Sequence, residues 1–308
     1  MTNTVERARL QREYDRLSNE AIRAGVQGDA SRAADRAKAA LSIVRRLFQE
    51  YPGDDDRLVL AAALYNYAGY VGMTHESLVL LEESYDHYSA LGGHAVQCAD
   101  VVLRMATVLQ ATGDVAGARV RFNDAIGAYK SAAVSANSLD AMMGLARASF
   151  HLGRHLLVSG AGPEEALSAI DDGLIVAERV RDALGVNKSR SDWLANAPGA
   201  LQLAAPAWAA AALLATELHH TAGRYDIAGE SANIAASVAG GLAGLGGDVR
   251  LRLFKAVLAY AEGVWRDAQN PFVAKARNLG SMQRFTVVGN RIVFATPDLD
   301  EILRLVGW

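Results

Sequence analysis

The stretch VLRMATVLQATGDVAGARVRFNDA, residues 102–125, indicates the fold of this chain. Apolar residues recur at a helical spacing on both sides of Gly113, and the second half places a small residue, Ala118, one turn before an aromatic one, Phe122. Glycine readily adopts the left-handed conformation that ends a helix, and a small residue lets two helices cross closely. The stretch therefore predicts a hairpin of two packed α-helices.

The same frame recurs at four other places along the chain. A glycine stands at the expected turn of every copy: Gly28, Gly72, Gly113, Gly160 and Gly223. A small residue follows each turn at the position where the two helices meet: Ala33, Ser77, Ala118, Ala166 and Ala228. Self-similarity of this kind is the sequence signature of repeat proteins. The sequence therefore predicts an all-α array of about five helical hairpins within residues 1–240.

This pattern resembles the tetratricopeptide repeat, whose two helices pack through the same small positions. The turn glycines are spaced more widely than the roughly 34 residues of that repeat, which predicts longer helices. The chain resembles in particular the long-repeat proteins of the superfamily, such as kinesin light chains and bacterial peptide-sensing regulators. The resemblance implies a right-handed superhelical array whose first helices line a concave groove that binds peptides or proteins.

Two segments depart from the repeat. Residues 185–199 form a polar interruption, GVNKSRSDWLANAPG, whose Trp193 either packs on a neighbouring helix or contacts a ligand. Residues 241–308 are expected to form a C-terminal cap, with a glycine-rich joint at residues 240–247 where the cap begins. Within this cap the sequence predicts a helix over about 249–268, a β-hairpin over 284–295 around the turn Gly289-Asn290, and a final helix over 297–306.

The resemblance also assigns side chains to the groove, because the repeat frame identifies which residues of each first helix face it. Arginine suits bidentate capture of carboxylates, so Arg104, Arg147 and Arg154 in the middle of this set imply an acidic or carboxylate-ended peptide. The same arginines could instead pair with acids of neighbouring hairpins, and the sequence leaves both readings open. The candidate groove residues are Asp15, Ser18, Asn19, Asn66, Tyr70, Asp100, Arg104, Thr107, Gln110, Arg147, His151, Arg154, Glu217 and His220.

Composition excludes several other classes of function. Hydrophobic residues make up 51% of the 308-residue chain and aromatic residues only 7%, which favours packed helices over sheets. A net charge of −3 gives no general attraction for phosphates, so we expect no direct nucleic-acid partner. Cys98 is the only cysteine, which excludes an intrachain disulfide and fits a cytoplasmic protein. The apolar stretch 201–216 is too short to span a bilayer, so we expect a buried helix and no membrane partner.

Recognisable catalytic and metal motifs are missing from the sequence. His151 and His155 have the spacing of two ligands on one helix, but no third ligand accompanies them, so we expect no metal and no other cofactor. The sequence identifies no catalytic residues, although such residues could meet only in three dimensions.

Two hypotheses of function follow from the sequence. The first is a peptide- or protein-binding scaffold or regulatory adaptor with a partly basic groove. The second is an enzyme or small-molecule-binding protein that uses an enclosed groove as its pocket. Self-association into a homodimer is expected if the C-terminal hairpin leaves the last repeat exposed.

Overall fold

The computed structural model describes residues 2–185, 193–271, 285–294, 299–301 and 303. Within these residues the chain forms eleven α-helices, a 3-10 helix at Trp193–Asn196 and two β-strands. The first six helices are α1 (Thr2–Val26), α2 (Ala30–Glu50), α3 (Asp54–Val71), α4 (His75–Leu91), α5 (Ala95–Thr112) and α6 (Val115–Ala136). The others are α7 (Leu139–Val158), α8 (Pro163–Ala183), α9 (Gly199–Thr221), α10 (Tyr225–Gly244) and α11 (Asp248–Gln269), followed by β1 (Phe285–Val288) and β2 (Arg291–Phe294).

The five predicted turns join α1 to α2, α3 to α4, α5 to α6, α7 to α8, and α9 to α10. All five turn glycines have positive φ, as at Gly113, where φ is 93° and the next amide, of Asp114, donates to the Leu109 carbonyl at 2.9 Å. A side chain is strained in this conformation, so glycine is the residue that ends each first helix. The five small residues after the turns are all fully buried: Ala33, Ser77, Ala118, Ala166 and Ala228. These observations confirm the predicted all-α fold of repeated hairpins.

Side chains cap several of these helices. The Asp29 carboxylate accepts the Arg32 amide at the start of α2, and Thr74 and Ser77 form a reciprocal capping box at the start of α4. The Ser138 hydroxyl accepts the Ala141 amide at the start of α7. Such caps satisfy amides that the first turn of a helix leaves without a partner, and they fix where each helix begins.

The chain divides into two compact units, a first unit over Met1–Ala128 and a second unit over Tyr129–Trp308. The core of the first unit includes Leu41 and Val44 of α2, Leu64 of α3 and Leu81 of α4, all buried. The predicted division into residues 1–240 and 241–308 remains a prediction, and its boundary lies inside α10.

The second unit is built around α9. This helix is long and apolar enough to cross a membrane, and it is the one such helix within the described ranges. However, 72% of its most apolar window is buried inside the protein, where Trp208, Leu213 and Leu214 are fully enclosed. The burial is that of a core helix, and it matches the expectation for residues 201–216.

The glycine-rich segment at residues 240–247 differs from the expected joint. Gly240 and Gly241 lie within α10, and a Cβ atom on Gly241 would come within 2.6 Å of the Trp193 ring. These glycines therefore allow close packing instead of a bend. The left-handed conformations come only at Gly246 and Gly247, immediately before α11.

The predicted β-hairpin is present. Strands β1 and β2 pair antiparallel, with Phe285 opposite Phe294 and Val288 opposite Arg291, so the turn contains two residues as expected. Residues 284 and 295 and most of the predicted final helix lie outside the described residues. That helix is described only at 299–301 and 303, where Leu299 and Leu303 are buried.

Candidate binding site

An open cavity of about 240 Å³ lies in the first unit, between α1, α2 and α3. Exposed Ile22 and Asn66 stand at its rim, so the cavity opens to solvent. Its inner wall is formed largely by buried alanines, which leave space that larger side chains would fill. The lining residues are Tyr14, Ser18, Ala21, Ile22, Ala37, Ala40, Ala63, Asn66 and Tyr70.

Three of the predicted groove residues meet at this cavity: Ser18 from α1, and Asn66 and Tyr70 from α3. Tyr14 lines it too but was missed by the sequence analysis. The signal was available, because Tyr14, Ser18 and Ile22 are spaced four residues apart and so share one face of α1. Asn19 is exposed on α1 and does not line the cavity.

The side chain of Arg104, on α5, packs against α3, the helix that carries Asn66 and Tyr70. Its guanidinium lies 4.5 Å from the centre of the Tyr65 ring and donates to the Tyr65 carbonyl at 3.1 Å. It occupies the space above Gly69, where a Cβ atom would approach two guanidinium nitrogens to 3.0 Å. Arg104 forms no ion pair with an acid in the part of the chain that the structure describes. Stacking and one neutral acceptor therefore orient this charge without neutralising it.

Three other residues of α5 were assigned to the groove face, and two of them, Asp100 and Thr107, are half-buried. The Thr107 hydroxyl donates to the Arg104 carbonyl at 2.7 Å, which ties it to its own helix. Gln110 is buried.

Arg147, His151 and Arg154 lie along one face of α7 in the second unit, as their spacing of four and three residues requires. A nitrogen of the Arg147 guanidinium is 3.3 Å from the Tyr129 hydroxyl. Burial, with a smaller contribution from the neighbouring charges of Arg147 and Arg154, lowers the pKa of His151 from 6.5 to about 3. His151 is therefore neutral near pH 7, and the positive charge of this face comes from the arginines.

Arg154 is only 6% exposed, and it donates to the Asn290 carbonyl in the turn of the β-hairpin at 2.8 Å. Burial, with a smaller contribution from the charge of Arg291, lowers the pKa of Arg154 from 12.5 to about 10. Arg154 has no ion pair with any described acidic residue. The hairpin thus lies against the α7 face that the repeat frame assigned to the groove.

Glu217 and His220 of α9 are buried inside the second unit. The Tyr260 hydroxyl donates to the Glu217 carboxylate, and His220 Nε2 lies 3.0 Å from a carboxylate oxygen of Asp267. Both partners belong to α11, which packs over this end of α9. These two residues therefore do not line an open surface, which corrects their assignment to the groove face.

Trp193 is buried in the second unit. Its indole nitrogen donates to the Ser237 carbonyl at 3.1 Å, and its ring meets Trp208 edge to face at 6.1 Å between ring centres. The buried Arg181 guanidinium stacks against both rings. The structure thus shows packing on neighbouring helices at Trp193; residues 186–192 of the interruption lie outside the described residues.

Acidic and imidazole groups do not gather into a metal site within the described ranges: no group of three or more histidine, cysteine, aspartate or glutamate side chains could hold an ion there.

No protein-family model matches the chain, and no curated protein matches it. Solved structures do match the chain in fold. The crystal structure of aspartyl phosphate phosphatase F from Bacillus subtilis superposes with a TM-score of 0.55 at 14% identity over 89% of this chain. The chain spans 63% of the length of that protein. A Rap protein complexed with competence and sporulation factor superposes with a TM-score of 0.52 at 15% identity, over 87% of this chain and 71% of that one.

Identities this low carry information about the fold alone. The helical hairpins, the turn glycines and the two superpositions agree. They confirm the predicted resemblance to the long-repeat tetratricopeptide proteins at the level of fold: the chain folds similarly to the Rap proteins.

Proposed function

We propose that the chain is a regulatory adaptor that binds a peptide or protein segment on the first helices of its hairpins. The observation that carries this proposal is the open cavity of the first unit, where Ser18, Asn66 and Tyr70 meet. Arg104 of α5 stacks on Tyr65 of α3, the helix that carries two of these residues, and so brings a positive charge to that helix. An apolar floor with a few polar groups at its rim is typical of a recognition site.

The fold supports the same function. One of the two similar structures is a complex of a Rap protein with competence and sporulation factor, so a protein of this fold accommodates a bound factor. Repeat arrays present long surfaces of first-helix side chains, which suits extended segments.

We infer that the bound segment is acidic or ends in a carboxylate. The Arg104 guanidinium donates to one backbone carbonyl only, so further N–H groups are available to a carboxylate. Arg147 and Arg154 are a second positive pair, on α7, and there the Asn290 carbonyl already accepts from Arg154. Arg104 is therefore the arginine that we favour for contact with the partner.

The alternative function, an enzyme or a small-molecule-binding protein, has one supporting observation: the first similar structure is that of a phosphatase. However, the residues that line the cavity include no carboxylate and no imidazole, the usual acid and base groups of catalysis. Binding without chemistry fits this lining better.

Native mass spectrometry of the protein purified from its own host tests the proposal. We expect a retained or co-purifying peptide or protein, and the same spectra report whether the chain forms the predicted homodimer. A cytoplasmic location also belongs to the proposal and fits the half-buried, unpaired Cys98.

The identified partner then permits a matched pair of variants. Arg104→Gln should weaken binding by about 2 kcal/mol, because a charge-assisted hydrogen bond is lost. Arg119→Gln, on the exposed side of α6, should change the affinity little. Equal losses from both variants would contradict the assignment of the first-helix face, and a retained metabolite in place of a peptide would favour the alternative.

A further inference from the structure

The cavity between α1, α2 and α3 is hollow because small residues line its floor. Ala21, Ala37, Ala40 and Ala63 are all buried, and each points where a larger apolar side chain would close the space. Protein interiors are packed nearly as densely as organic crystals, so an unfilled volume of this size forfeits many favourable contacts. A ligand group that entered the cavity would restore them.

Four polar side chains line the cavity. Tyr14, Ser18, Asn66 and Tyr70 supply hydroxyl and amide groups, and none of these four side chains makes a hydrogen bond to another described residue. Together they can both donate and accept. The lining therefore offers hydrogen bonds without offering a counter-charge.

The lining contains no charged side chain, and the carboxylate of Glu20 on α1 is already paired. Glu20 accepts from Arg16 at 2.7 Å and pairs with Arg36 at 3.2 Å. A charged ligand group placed among alanines and tyrosines would lose its hydration without gaining a partner, which is costly. An uncharged group avoids this cost.

The volume indicates the size of the group. An apolar cavity of about 150 Å³ accepts benzene. The cavity here holds about 240 Å³, so it has room for a substituted or bicyclic ring. Tyrosine and tryptophan side chains combine a large apolar ring with a single O–H or N–H, which matches an apolar floor below a neutral hydrogen-bonding rim.

We propose that this cavity binds one uncharged aromatic side chain, an indole or a phenol, of the partner segment. The inference deepens the proposed function, on which it rests: the ring anchors the segment in the first unit, and the Arg104 charge acts on another part of it. Buried aromatic anchors of this kind carry much of the energy of an interface.

Indole and p-cresol, the ring groups of the two side chains, are the probes for ligand-observed saturation-transfer NMR on the full chain. We expect both to bind saturably, and we expect benzoate and benzylamine, which carry a charge on a ring of similar size, to bind at least about tenfold more weakly. Absence of binding by both neutral rings at millimolar concentration, or equal binding by the charged rings, would overturn the proposal.

Two neighbouring positions on α1 provide the matched variants. Ser18→Leu fills part of the cavity and should weaken indole binding by about tenfold or more, whereas Asn19→Leu, outside the lining, should leave it within about twofold. Far-UV circular dichroism checks that both variants fold. Asn66→Leu, at an exposed rim position, serves as the second filling variant if Ser18→Leu does not fold.

Equal effects of the lining and control variants on indole binding would contradict the assignment of the ring to this cavity. Because the probes need no natural partner, this result would leave the Arg104-dependent binding of a segment standing. Conversely, if indole binds as expected but no peptide or protein partner is found, the result contradicts the proposed function and still supports an aromatic site in the cavity.

Discussion

Gly153 on α7 faces α8 at a point where the two backbones come unusually close. A Cβ atom there would lie 2.4 Å from the side chain of Ile170 and 2.9 Å from the Ala166 carbonyl oxygen. The reciprocal contact occurs at Gly173 of α8, where a Cβ atom would lie 2.9 Å from the Ala146 carbonyl oxygen. Both crossings therefore depend on the absence of a side chain.

We expect Gly153→Ala to lower the free energy of unfolding. Alanine in a helix interior normally stabilises by about 0.5–1 kcal/mol relative to glycine. Here the added methyl group overpacks the interface, at a cost of about 1–3 kcal/mol, and the backbone oxygen cannot simply rotate away. Urea denaturation of the variant measures the net effect.

Gly263 on α11 is the matched control, because a Cβ atom there meets no atom within 4 Å. Gly263→Ala should keep the gain in helix propensity and unfold at a higher urea concentration than the parent. If both alanine variants raise the midpoint, α7 and α8 are farther apart than described.

His151 gives the second unit a pH-dependent stability. Its pKa is about 3 in the folded protein, lowered from 6.5 by burial and by the two adjacent arginines. Between these two values the unfolded chain binds a proton that the folded chain does not, so acidification through this range favours unfolding. The contribution of His151 is fully present above pH 6.5 and is lost progressively below it.

We therefore expect His151→Gln to weaken the dependence of stability on pH. Urea midpoints at about pH 7 and about pH 5 should differ less in this variant than in the parent. His75 is exposed on α4, and His75→Gln should retain the parental difference. A His151→Gln variant with an unchanged difference would show that the ring is not kept neutral.

At the scale of elements, the β-hairpin docks through one face only. Phe285, Ile292 and Phe294 are buried on one face, whereas Thr286, Val288 and Arg291 on the other face are exposed. The Asn290 carbonyl at its turn accepts from Arg154. Since an isolated hairpin is marginally stable in water, these contacts with the second unit are what keep it folded.

Ile292→Ala should loosen this docking, since truncation of a buried isoleucine costs about 2–5 kcal/mol. Hydrogen exchange of the amides in β1 and β2 should accelerate by much more than it does in Val288→Ala, where the truncated side chain is 62% exposed. Exchange that is equally fast in both variants would mean that Ile292 does not hold the hairpin in place.

The helices themselves were predictable from local sequence signals. Gly113 ends a helix and Ala118 permits a close crossing because of properties of those residues alone, so the pattern around each could be recognised without any partner. The turn at Gly289-Asn290 was predictable for the same reason.

The candidate site was less predictable, because it depends on contacts between distant residues. Glu217 and His220 meet partners 43 and 47 residues farther along the chain, on a helix that follows the last repeat. The repeat frame contains no information about that helix. Likewise, Arg104 occupies the space above Gly69 of another hairpin, and the cavity is lined by residues of three different helices.

At the scale of the whole molecule, the tryptophans report on one unit. All four tryptophans lie beyond residue 128, so their fluorescence follows the second unit, whereas far-UV circular dichroism follows helices in both. Each unit has its own buried core, and arrays of repeats often unfold with less than full cooperativity.

We expect the two signals to give different unfolding midpoints in urea. The second unit contains α9, which is enclosed on nearly all sides, so its fluorescence transition should come at the higher urea concentration. The earlier loss of helix signal would then belong to the first unit.

A pair of leucine truncations assigns the two transitions. Leu64 and Leu213 are both fully buried, in the first and second unit respectively, and each Leu→Ala change should cost about 2–5 kcal/mol. Leu64→Ala should move the early helix signal and leave the fluorescence midpoint in place, whereas Leu213→Ala should lower the fluorescence midpoint. If either truncation moves both signals together, the chain unfolds as one cooperative body, and the division after Ala128 has no counterpart in its stability.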